Sequence, residues 1–80
     1  MNMEWKCADQ ELPEMHKQTI DDVYGHAEFE ESDPVLAYAP EVGMVVCVAE
    51  KSGGRVYWVD DVGKSYHVTH WVYLPEAPTA

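Results

Sequence analysis

Two cysteines and four histidines are the residues of this chain best suited to chemistry, and their spacing argues against it. Cys7, Cys47, His16, His26, His67 and His70 are all metal-ligand types. Structural zinc, however, is normally held by close pairs such as Cys-x2-Cys. The one close pair here is His67-x2-His70, and on a strand an odd separation sends two side chains to opposite faces. The spacing predicts no metal site, with His70 buried and bonded through its ring and His67 exposed. Cys47 lies in a run of valines, where burial raises a thiol pKa and blunts its reactivity. No base is placed for it. Gly53-Gly54 lacks the Gly-x-x-x-x-Gly-Lys pattern of a phosphate loop and leads toward a strand instead of a helix. The expectation is a chain with no catalytic residue and no cofactor.

Carboxylates are the other chemistry-bearing group. The chain has 15 acidic residues against five Lys and Arg, a formal charge of −10. Nine of the acids and only Lys17 fall between Asp9 and Asp33, so that stretch alone carries −8. Clustered negative charge disfavours nucleic acid and anionic membranes, which need a cationic face, and suits a basic partner. Asp21, Asp22, Glu28, Glu30, Glu31 and Asp33 are the candidate binding residues. Simple solubility is the competing explanation of such a block.

Elements must hold these groups in place. Eighty residues allow one domain with a small core. From Val35 onward the chain reads as β structure. Strands are expected over Val35–Ala39, Met44–Glu50, Arg55–Val59 and Ser65–Leu74, separated by Pro-, Gly- and Asp-rich turns. Short connections predict an antiparallel meander. The near-continuous apolar run in Met44–Glu50 predicts a central strand covered on both faces. Before these strands, Met15, Thr19, Ile20, Val23 and Tyr24 recur at helical spacing ahead of Gly25. That spacing predicts a short helix over 15–24, with a structured loop as the rival reading. Trp5 anchors an extended N-terminal arm, read as an edge strand. Trp5 and Trp71 are both assigned to the core, each expected to cost about 3–5 kcal/mol on truncation to alanine. The fold class is α+β, mainly β, with about four strands.

Alternation along the last strand sends His67, Thr69, Trp71 and Tyr73 to one face. With Tyr57, the residues His67, Trp71 and Tyr73 form an alternative binding surface, an aromatic sheet face suited to self-association.

Trp5, Leu12-Pro13-Glu14, Pro34-Val35-Leu36-Ala37-Tyr38 and Val68-Thr69-His70-Trp71-Val72-Tyr73-Leu74-Pro75-Glu76-Ala77-Pro78 form an ordered set across nearly the whole chain. In these motifs the sequence resembles a phage- and prophage-borne family catalogued as domain of unknown function 551. It departs from that pattern at residues 15–33, which are longer than in many members, and at Val72-Tyr73, where Met-Pro is usual. The resemblance implies a small cytoplasmic protein of a phage-bearing bacterial cell, with no motif assigned to catalysis. The expected role is non-catalytic binding of a host or phage protein, as an inhibitor of a host defence protein through an acidic face that mimics nucleic acid. The alternative is an accessory or structural phage protein. No signal peptide is read in the chain, and its longest apolar run, Met44–Ala49, is far too short to span a bilayer.

Overall fold

The computed structural model describes residues 4–75, and these form eight strands and no helix. In chain order they are β1 (Lys6–Cys7), β2 (Met15–Asp22), β3 (Gly25–Ser32), β4 (Val35–Ala39), β5 (Gly43–Ser52), β6 (Arg55–Val59), β7 (Ser65–Tyr66) and β8 (His70–Tyr73). All pairings are antiparallel. The expected helix over 15–24 is instead β2 and the turn that follows it. Helical periodicity of five residues did not prevail there: Ile20, Val23 and Tyr24 are exposed, so the segment buries no apolar stripe against the body.

The meander holds from β4 to β7. The long β5 pairs with β4 through Gly43–Cys47 and with β6 through Val48–Ser52. β6 then pairs with β7, while β8 returns to lie against β4. The pairings therefore run around a half-barrel whose circuit is interrupted only between β7 and β8, at His67–Thr69. That interruption splits the expected strand Ser65–Leu74 and resets its alternation. Val68 and Trp71, three residues apart, are both buried.

Large and small side chains alternate across the interior. Trp71 is directly paired with Ala37, and Trp58 with Ala49. Both alanines and Trp71 are 0% exposed. Each alanine leaves the space into which the facing indole fits, as a densely packed core requires. Val35, Cys47 and Val68 complete the cluster. The outward residues of β5, Met44 and Val46, are exposed. The strand is central in the sheet but covered on one face only, a correction to the expected double coverage.

Trp5 and Trp71 part company. The arm is indeed an edge strand, with Lys6 paired to Trp71 and Cys7 to His70. Trp5 itself is 39% exposed and does not belong to the core. The arm is held by Trp71, whose Nε1–H donates to the Glu11 carbonyl at 2.8 Å. The Glu14 N–H donates to the Tyr73 hydroxyl at 2.9 Å, and Pro13 between them is buried. The first Leu-Pro-Glu thus lies against the last strand. Of the second, Glu76 falls outside the described residues, as do Ala77 and Pro78.

Candidate functional site

β2 and β3 form a hairpin that stands out from the body. Its eight pairs run from Met15↔Ser32 to Asp22↔Gly25, yet β3 is in register with the rest of the sheet only at Glu30↔Lys51 and Glu31↔Glu50. Beyond that point the ribbon passes the Gly53-Gly54 turn and is exposed on both faces. Its projection accounts for a radius of gyration of 14.0 Å, against about 11–12 Å for a compact chain of this length.

The tip has turn chemistry that helical periodicity obscured. Asp22-Val23-Tyr24-Gly25 carries Asp in the first and Gly in the fourth position, as a type I turn favours. The Asp22 Oδ1 accepts from the Tyr24 N–H at 2.7 Å, and Gly25 has φ of +134°, a backbone angle that favours glycine. Val23 and Tyr24 are 92% and 94% exposed.

The six candidate carboxylates all belong to this unit. Asp21, Glu28 and Glu30 share one face of the ribbon, since Asp21 pairs with His26, Thr19 with Glu28 and Lys17 with Glu30. Asp22 and Glu31 lie on the other face, and Asp33 follows the end of β3. Three side chains lie against these carboxylates. Lys17 Nζ is 3.6 Å from Glu28 Oε1, His26 contacts both Asp21 and Glu28, and His16 Nε2 is 3.6 Å from Asp33 Oδ2. All of these side chains are well exposed, so each pair contributes little to stability. At its root the ribbon is tied in by a residue the sequence did not single out. Ser32 is 4% exposed; its hydroxyl accepts from the Ala49 N–H at 2.8 Å and donates to the Asp33 carbonyl at 2.9 Å.

The alternative aromatic surface is not brought together. Trp71 is fully buried and packs edge-on to Tyr73 at 4.9 Å between ring centroids. Tyr57 is on β6, and His67 lies in the unpaired link. His70 is exposed, with Nδ1 2.9 Å from the Thr69 hydroxyl, which corrects its expected burial. An exposed apolar concavity lies elsewhere, a hollow of about 450 Å³ lined by Trp5, Tyr38, Met44 and His70.

Cys47 is buried, and desolvation pushes its thiol pKa up. Among the described residues no three His, Cys, Asp or Glu side chains come together as a metal site. Two carboxylates are held below their ordinary pKa. Asp60 accepts from the Tyr66 hydroxyl at 2.8 Å and from the Lys64 and Val62 N–H groups. Glu41 accepts from the His67 N–H at 3.0 Å. Both stitch loops to the sheet.

No family model matches the chain, and no curated protein and no solved structure matches it. Among the described residues no helix is long and apolar enough to cross a membrane.

Proposed function

We propose that this protein acts without catalysis, by binding a protein with a basic surface through the β2–β3 hairpin. The observation that carries the reading is the gathering of Asp21, Asp22, Glu28, Glu30, Glu31 and Asp33 on one projecting ribbon. Carboxylates on both faces of a narrow rod present negative charge much as a phosphate backbone does. That likeness supports mimicry of nucleic acid, and the resemblance to the phage-borne family supports a host defence protein as the target, met in the bacterial cytoplasm. Charge of one sign steers a complementary partner and raises the association rate more than the contact energy.

The test begins with affinity capture from host lysate, followed by association kinetics on the captured protein. Changing Glu28, Glu30, Glu31 and Asp33 to their amides is expected to slow association while the fold is kept. Raising salt is expected to slow it too, as the Debye length falls from about 10 Å at 0.1 M to about 3 Å at 1 M. A partner that binds the amide variant equally fast, or regardless of salt, would overturn the reading.

A further inference from the structure

The outer edge of β2 is eight residues long and unpaired among the described residues, since β2 ends the strand order. Proteins usually blunt such an edge with proline, a bulge, a short strand, a covering element or charged side chains, lysine above all. Charge is the one such device on β2, and a partner strand that supplies the opposite charges removes it. β2 contains no proline, and its register with β3 is continuous over all eight pairs. The edge is open to another strand.

We propose that a second copy of this chain occupies it, giving a two-fold dimer in which β2 pairs antiparallel with β2 of the partner. A two-fold axis normal to the sheet keeps each face on its own side, so residues opposite one another must lie on the same face. Only registers centred on a residue satisfy this, and the side chains distinguish among them. Centred on Thr19, the pairing sets Lys17 opposite Asp21, His16 opposite Asp22 and Gln18 opposite Ile20, each twice by symmetry. It also brings Met15 opposite the exposed Val23 at the partner's tip, and the two Thr19 residues opposite each other. Shifting the centre to Gln18 places Lys17 against Thr19 and Asp21 against Met15. Shifting it to Ile20 places Lys17 against Val23 and Asp21 against Thr19. One register alone pairs both charges with their opposites, and directly opposed charges stabilise a strand pair where like charges destabilise it.

The dimer stands on the free edge and its charge pattern, independently of the proposed target. It leaves Glu28, Glu30 and Glu31 on β3, one strand away from the new seam. The product is a four-stranded acidic ribbon bridging two bodies.

Sedimentation equilibrium of the full chain should show a monomer–dimer equilibrium. Lys17→Asp and Asp21→Lys should each raise the dimer Kd by about tenfold or more, by setting like charges opposite each other. An equimolar mixture of the two variants should form a heterodimer, because each then meets its opposite. Circular dichroism checks that each variant keeps its sheet. Should either variant unfold, Thr19→Cys in a Cys7→Ser background reports instead. Mild oxidation should link two such chains through position 19, whereas Gln18→Cys in the same background should link poorly. A wild-type chain that stays monomeric at its highest soluble concentration would overturn the proposal. So would a dimer that neither charge variant weakens, or cross-linking no better at 19 than at 18.

Discussion

Trp71 and Trp5 looked alike in sequence, each an indole beside a Leu-Pro-Glu, and they differ in what surrounds them. Trp71 enters the space left by Ala37 and ties down the arm through its N–H. Trp71→Ala is expected to cost about 3–5 kcal/mol, enough to unfold a domain of this size. Trp5→Ala, in a half-open hollow, is expected to cost about 1 kcal/mol or less; chemical denaturation of the two variants separates them. Asp60 gives a second residue-scale expectation. Its carboxyl is held below the ordinary value of 3.8, chiefly by the Tyr66 hydroxyl. A depressed folded pKa stabilises the fold above the unfolded pKa, and that contribution is lost as pH falls through the folded value. Melting temperature should therefore drop on acidification below about pH 4. Asp60→Asn should be less stable at neutral pH and show a shallower acid dependence over the same range.

Among the elements, β4, β5 and β6 were legible because half-buried strands print their pleat on the sequence. Val35, Ala37 and Ala39 face in while Tyr38 faces out, and Gly53-Gly54 marks the turn. The hairpin was not legible as strands. Both of its faces meet water, so its residues carry no period of two, and the few apolar ones fell by chance at helical spacing. Its acidic residues could be picked out by charge, but their sharing of one ribbon could not. The break at His67–Thr69 was hidden for another reason, since a reset of alternation is set by the bend between sheets and not by local residue type. Ser32 joins hairpin to body, and Ser32→Ala leaves the buried Ala49 N–H without its acceptor. The expected cost is about 1–3 kcal/mol. Native-state hydrogen exchange at the Ala49 amide should register it, with loss of protection there exceeding that on β4.

At the scale of the whole molecule, charge and shape work against each other. A formal charge of −10 on 80 residues repels itself, and five of the acidic residues lie on the hairpin. Projecting the hairpin into water relieves that repulsion, and the elongated shape follows. Salt should then stabilise the isolated protein by screening. A melting temperature that rises between low and physiological ionic strength is the expected outcome, the reverse of the salt effect on partner binding.

The pairing of β8 with β4 has a consequence in time. Trp71, the largest wholly buried side chain, belongs to the last strand described. Its partner Ala37 is made far earlier, and contacts so distant along a chain are slow to find. During synthesis the inner face of β4 must wait without Trp71 until β8 emerges. The β2–β3 hairpin, whose eight pairs are all local, is already complete by then, while the core still lacks its last piece.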